Sequence, residues 1–383
     1  MSVRFLPHRG PRHGGRGDGE TVTLDLPRNA RLYLRPVQFA DSPIERDGEV
    51  ARLAGGLVWF SAWELIAVEN GRRILQRTIP IADLPDDEGL HALAARITAP
   101  RVPLTLGERV LRFDQPQVMG ILNLTPDSFS DGGKHSDDPE AAAAAGVGMA
   151  AEGATLIDVG GESTRPGAKE VWEGDEIKRV VPVIERLARS GTLVSADTRK
   201  AGVMEAALAA GAHIVNDVSA LLWDDRALDI VVRAQCPVVL MHAGDPKQGA
   251  DGGHGYGDPL IEVYDWLERR IDAVVAAGVD RARIIADPGI GFGKTLSHNL
   301  ALLNGLALFH GLGVPLLLGA SRKRIIGALS NEAPADQRLG GSLALALKGA
   351  ELGVQLLRVH DVPETVQALR VWRGMRDAAL VGR

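Results

Sequence analysis

Asn123, Asp197, Asn216, Asp287, Ser321, Lys323, Arg358 and His360 are polar or ionisable, and each closes, or directly follows, a short apolar run. Carboxylates in such places must find hydrogen-bond donors or stay protonated. A heterocycle with an amidine-like edge of N–H groups would satisfy one by paired hydrogen bonds, and Asn216 can offer that ring both a donor and an acceptor. The plainer reading of Asp197, Asn216 and Asp287 is an internal network tying strands together. Arg165, Arg322, Lys323, Arg358 and His360 supply cations in a chain of net charge −6. Guanidinium forks match phosphate oxygens. Asn123 offers a hard oxygen of the kind Mg²⁺ accepts, and Mg²⁺ commonly bridges protein to substrate phosphates. Cations with one oxygen ligand point to a diphosphate leaving group. No His/Cys set has zinc spacing. Two loops, "TPDSFSDGG" and "STRPGA" (Ser163–Ala168), are rich in Gly, Pro and hydroxyls and can close over a ligand or serve as plain connections. "DPGIGFGK" (Asp287–Lys294) lacks the spacing of a P-loop. Its glycines suit a tight turn and close ligand approach, with Phe292 walling an aromatic substrate.

The elements that must position these residues are eight apolar runs: "QVMGILNL", "TLIDVGG", "LVSADT", "HIVNDVS", "PVVLMHA", "RIIADPG", "VPLLLGAS" and "VQLLRVHD". Near-continuous apolar runs mark strands buried on both faces of a parallel sheet. Ala-rich amphipathic segments lie between them, most closing on Gly. Eight such units predict an α/β fold, a (β/α)8 TIM barrel over residues 111–383, whose C-terminal strand ends form one face. A doubly wound sheet usually has fewer strands and a Gly-rich dinucleotide turn that is not seen here. Asp197, Asn216 and Asp287 are expected on alternate, inward-pointing strand ends. Residues 21–110 read as a small α+β domain of unknown role, and 1–20 as a disordered tail without an apolar signal core.

The acidic balance argues against nucleic acid as a partner. No apolar stretch is long enough to cross a membrane. The one cysteine, Cys236, precludes an internal disulfide, reads as a buried structural thiol and fits a cytoplasmic location.

From about Leu111 to Arg373 the chain resembles bacterial dihydropteroate synthases. The motifs are "GILNLTPDSFSDGG", "DVGGESTRPGA", "SADTRK", "IVNDVS", "ADPGIGFGK", "GASRKRIIG" and "LLRVHDV", in that order. The resemblance implies a homodimeric TIM barrel that joins 6-hydroxymethyl-7,8-dihydropterin diphosphate to 4-aminobenzoate with Mg²⁺ as cofactor. It puts pterin binding on Asp197, Asn216, Asp287, Lys323, Met241 and Phe292. Diphosphate falls to Asn123, Arg165, Arg358 and His360, with Asn123 on the metal. Aminobenzoate falls to Thr164, Arg165, Pro166, Phe292, Ser321 and Lys323. Asp131, Lys323, Arg165 and Asp197 stand nearest the chemistry, in which the C–O bond ionises before the arylamine attacks. "MHAGDPKQ" departs from the usual fifth-strand sequence, and Gly-Ser replaces Gly-Thr in "RLGGSLALALKGAELG". A pterin-dependent methyltransferase barrel would not need the diphosphate cations. A silent paralogue would have lost loop or diphosphate residues, and none is lost.

Overall fold

A computed structural model describes residues 2–5, 22–125, 138–163, 169–244 and 255–381. The N-terminal part contains strands β1 (Ser2–Phe5), β2 (Val22–Asp25), β3 (Arg31–Ala40), β4 (Ala51–Arg52), β5 (Trp59–Glu69) and β6 (Arg72–Pro80), then helix α1 (Glu88–Thr98) and strands β7 (Leu104–Leu106) and β8 (Arg109–Leu111). The barrel strands are β9 (Gln117–Asn123), β10 (Leu156–Gly160), β11 (Val194–Asp197), β12 (Ile214–Asp217), β13 (Val238–Met241), β14 (Ile284–Asp287), β15 (Leu317–Leu318) and β16 (Leu356–Val359). Around them run α2 (Pro139–Ala151), α3 (Glu173–Arg189), α4 (Ala201–Ala209), α5 (Ala227–Ala234), α6 (Pro259–Ala276), α7 (Leu296–Asn304), α8 (Arg324–Leu329), α9 (Leu339–Glu351) and α10 (Val362–Leu380).

The eight barrel strands pair in parallel, and a bridge from Ala286 to Leu316 closes β14 onto the approach to β15. The expected TIM barrel is therefore the fold. Local signals start its helices: Asp138 and Asp258 cap α2 and α6 ahead of Pro139 and Pro259, whose fixed φ suits a first helical position. Among the described residues no helix is long and apolar enough to cross a membrane.

The floor of the barrel is a layer to which every strand, or the residue leading into it, contributes one apolar side chain: Met119, Leu156, Leu193, Ile214, Val239, Ile285, Leu317 and Leu356. Leu104, Leu106 and Leu111 of the β7–β8 hairpin, with Phe113, complete this cluster. All of the hairpin but Leu111 lies on the N-terminal side of the boundary expected at 110/111, yet its apolar side chains cluster with the barrel interior. Ser2–Phe5, within the stretch expected to be a disordered tail, pairs antiparallel with β2.

The remaining N-terminal strands form a separate antiparallel sheet, with β3 along one edge of β5 and both β4 and β6 along the other. Its buried face shares one hydrophobic core with the barrel, from Tyr33, Leu34 and Leu65 to Tyr264 and Phe309. Polar anchors border that core. Tyr33 donates to Asp265 at 2.9 Å, Arg31 pairs with Asp265 at 3.2 Å and with Glu268, and buried Arg101 donates to the His310 carbonyl at 3.0 Å.

Candidate active site

In-register residues of parallel strands point to the same face of a sheet. Asn123, Gly160, Asp197 and Asn216 form one such row across β9, β10, β11 and β12 at the barrel mouth. Asp197 and Asn216 therefore stand on adjacent strands, not alternate ones as expected, and the shared register is what turns both inward. Gly160 leaves space between its neighbours: a Cβ there would lie 3.5 Å from both Asn123 Oδ1 and an Asp197 carboxylate oxygen.

Two residues deeper on β10 is Asp158, which is fully buried. Its Oδ2 accepts from Asn216 Nδ2 at 3.0 Å and from Arg358 Nε at 2.6 Å. Arg358 Nη2 also donates to Asp197 Oδ2 at 2.6 Å. The remaining oxygens, Asp158 Oδ1 and Asp197 Oδ1, are buried without a hydrogen-bond partner among the described residues. Burial raises Asp197 above the usual carboxylate range, with Arg358 opposing and Asp158 adding to the rise. Arg358 is driven the other way: burial lowers it, but Asp158 and Asp197 more than offset this and hold it protonated. Arg358, expected on diphosphate, is thus already engaged by two carboxylates. Asp158 escaped the sequence reading because it sits inside an apolar run rather than at its end. A carboxylate within a strand buried on both faces was the available signal.

Asp287 closes β14, buried, with burial raising its pKa against Lys323 and a hydrogen bond from the Gly289 N–H at 2.7 Å. Lys323 donates to the Ile290 carbonyl, and its ammonium lies 4.5 Å from the centroid of the Phe292 ring. Burial lowers Lys323 to about 8, with Asp287 pulling it back up. Met241 is buried at the end of β13, in register with Asp287.

The Asp287–Lys294 loop gets its shape from Gly289 and Lys294. Gly289 has φ +69°, and a Cβ would fall 1.9 Å from the His242 carbonyl oxygen, so its close approach is to backbone rather than to a ligand. Lys294 Nζ donates to the carbonyls of His242 (3.0 Å), Gly289 (2.9 Å) and Phe292 (3.1 Å) and meets His242 Nδ1 at 3.0 Å. Burial lowers Lys294 to about 7. It is a scaffold for the loop and was not foreseen.

On the far side of the mouth, Ser321 Oγ and His360 Nδ1 are 3.0 Å apart. Arg322 faces elsewhere: it has φ 55° and makes a two-pronged pair with Asp361. Arg199 and Lys200 of "SADTRK" pair with Glu162 at 3.1 Å each, and Lys200 also meets Glu176 at 2.7 Å. Glu162 Oε1 accepts from the Val171 N–H at 2.9 Å, which ties together the two ends of the second loop. Asp131, Thr164, Arg165 and Pro166 lie outside the described residues. So does most of the departing fifth connection, residues 245–254. Cys236 is buried, and burial pushes its thiol up to about 11, as a structural thiol requires.

A carboxylate–amide–guanidinium cluster with unsatisfied acceptor oxygens, ringed by a lysine and an aromatic ring, can seat a flat heterocycle rich in N–H donors. Comparison with known proteins points the same way. The profile of the pterin binding enzyme family matches residues 119–360. The Escherichia coli (strain K12) dihydropteroate synthase is 47% identical over 263 residues, which cover 68% of this chain and 92% of that protein. The Mycobacterium leprae (strain TN) dihydropteroate synthase is 45% identical over 265 residues, 67% and 92% of the two chains. Among solved structures, the Xanthomonas albilineans dihydropteroate synthase with 4-aminobenzoic acid is 50% identical with a TM-score of 0.67, covering 72% of this chain and 98% of that one. The Yersinia pestis enzyme in a sulfonamide complex is 45% identical with a TM-score of 0.69, covering 72% and 100%.

Proposed function

The chain belongs to the dihydropteroate synthase family of pterin-binding enzymes, and from that premise we propose how its residues join 6-hydroxymethyl-7,8-dihydropterin diphosphate to 4-aminobenzoate. The product is 7,8-dihydropteroate and the leaving group diphosphate, a step of folate biosynthesis catalysed by a transferase. The observation that carries the roles is Asp197 Oδ1, buried without a partner among the described residues, beside Asn216 at the mouth of a closed barrel. A buried acceptor left without a donor costs about 1–3 kcal/mol, which a pterin N–H edge would recover.

In this reading Asp197, Asn216 and Asp287 hold the pterin ring, Met241 and Phe292 pack against it, and Lys323 hydrogen-bonds it. Once the ring donates to Asp197, Arg358 turns from that carboxylate toward the diphosphate, with His360 and Arg165 beside it. The C–O bond breaks with both electrons leaving on the diphosphate. Asp131 stabilises the methylene cation, and the arylamine lone pair forms the new C–N bond. The proton released from nitrogen passes to diphosphate or water. No strong base is needed beside an arylamine, so positioning and charge neutralisation carry the rate. Aminobenzoate is held by Thr164, Arg165, Pro166, Ser321 and Lys323, against Phe292. Asn123 suits Mg²⁺, since its Oδ1 opens onto the Gly160 gap as a single hard ligand. The ion would supply charge neutralisation of the leaving diphosphate. A cytoplasmic homodimer completes the reading.

Pure protein given Mg²⁺ and both substrates should yield dihydropteroate and diphosphate in equal amounts, and a sulfonamide should compete with 4-aminobenzoate. Folded protein that forms no product would overturn the assignment.

A further inference from the structure

The N-terminal extension touches the barrel in several places, and one of them is at the mouth. Strand β6 carries Arg73, whose Nε donates to Asp258 Oδ2 at 2.5 Å while Nη2 donates to Oδ1 at 3.1 Å. A guanidinium fork on a carboxylate fixes orientation as well as charge. Asp258 is the N-cap of α6, so this fork holds the point where the connection from Met241 becomes helix. That connection follows the C-terminal end of β13 and so belongs to the active-site face.

Contacts continue inward from the cap. Tyr256 meets His298 of α7 edge-on, with ring centroids 5.0 Å apart, and faces His242 at 6.1 Å. His242 touches Lys294, Lys294 holds the Gly289 and Phe292 carbonyls, and the Phe292 ring lies against the Lys323 ammonium. Other anchors of the extension sit further along α6. Arg31 and Tyr33 reach Asp265, and Arg31 and Arg96 reach Glu268. Asp265 is about two helical turns from the cap.

We propose that Arg73 is a positioning residue for the arylamine side of the active site: it clamps Asp258 and, through Tyr256, His242 and Lys294, holds Phe292 in place against Lys323. The extension is then part of the catalytic framework rather than an appended module. The kinetic half of this rests on the reaction assigned above, and the structural half does not.

The test uses the full chain with Arg73→Ala, Arg73→Lys, Asp258→Asn, the Arg73→Ala/Asp258→Asn pair and Arg31→Ala. Asparagine caps a helix about as well as aspartate, so Asp258→Asn removes the charge and keeps the cap. Arg31→Ala loosens docking away from the mouth. Arg73→Ala should raise KM for 4-aminobenzoate about fivefold, which is about 1 kcal/mol, the upper end for a solvent-reachable ion pair. Its kcat should stay within about twofold, as for loss of binding that ground and transition states share. Arg73→Lys should recover part of the loss, Asp258→Asn should match Arg73→Ala, and the pair should be no worse than either. Arg31→Ala should leave KM unchanged. Independently of turnover, amide exchange at Gly289, Gly291 and Phe292 should quicken in Arg73→Ala and not in Arg31→Ala. Equal effects of Arg73→Ala and Arg31→Ala on KM, additive effects in the pair, or unaltered exchange would overturn the proposal. A wild-type chain that makes no dihydropteroate would defeat the reaction assignment, and the exchange comparison would still decide this one.

Discussion

Asp197, Asp158 and Arg358 set the charge state of the site together. Arg358 meets one oxygen of each carboxylate, so removing it acts on both. The pH dependence of kcat/KM follows if Asp197 works ionised and Lys323 works protonated. The acid limb then lies above the usual carboxylate range, because burial raises Asp197. The alkaline limb lies at about 8, because burial lowers Lys323. Arg358 stabilises the Asp197 anion and repels the Lys323 cation, so its loss raises both pKa values. Arg358→Gln should therefore slow turnover and move both limbs to higher pH. Asp158→Asn removes a negative neighbour of Asp197 and should move the acid limb to lower pH. Limbs that stay fixed in both variants would separate these residues from the titrating groups. At this scale the residue types of the site were legible in the sequence, since Asp197, Asn216, Asp287 and Lys323 do converge. The partners of Arg358 were not, because Asp158 and Arg358 lie 200 residues apart and meet only once β10 and β16 have paired with the two edges of β9.

Among the elements, the strand–helix alternation was readable from its apolar runs, and the Asp–Pro pairs at Asp138 and Asp258 mark the starts of two of the helices. The Asp287–Lys294 loop reads in the sequence as a tight turn whose glycines allow close ligand approach beside Phe292. Its glycine pattern reflects the His242 carbonyl pressing on Gly289 and the Lys294 ammonium gathering three carbonyls. The contacts with His242, at a neighbouring strand end, are ones that no local pattern encodes. Gly289→Ala meets a positive φ and a backbone clash together and should cost about 2–3 kcal/mol or more, read as a lower midpoint in urea unfolding. The same variant should weaken aminobenzoate binding, because Phe292 hangs from this loop. A midpoint equal to the parent's would mean the loop relaxes around the added methyl group.

For the whole molecule, the extension and the barrel share a core. Tyr264 and Phe309 on the barrel side are fully or almost fully buried, packed in the same cluster as Tyr33, Leu34 and Leu65. Buried Arg101 caps the His310 carbonyl, and burial holds the His310 ring neutral, its pKa lowered to about 3. Removing residues 1–101 while keeping the β7–β8 hairpin would expose an apolar face and leave that carbonyl only the Gly313 N–H as donor. The truncated barrel should melt lower, by about 2 °C for each kcal/mol lost in a domain of this size, or aggregate. A truncated chain as stable and soluble as the full one would show the shared core to be dispensable. The α+β character of the extension was legible from its strand-like runs and the helix in "DEGLHALAARI" (residues 87–97). Its docking was not, because a helix face that looks amphipathic to solvent does not say which neighbour covers it.

The sequence by itself determined the (β/α)8 barrel, the polar residues at its strand ends and the family. These follow from local patterns: apolar period, capping residues and motif order are properties of neighbouring positions. Only the tertiary structure decided that Arg358 bridges Asp158 and Asp197, that Asp197 and Asn216 share one row, that the hairpin fills the barrel floor, and that Arg73 reaches the active-site rim. Each of these depends on which distant segments meet. That is set by barrel closure and by the faces left to bury once the local elements have formed.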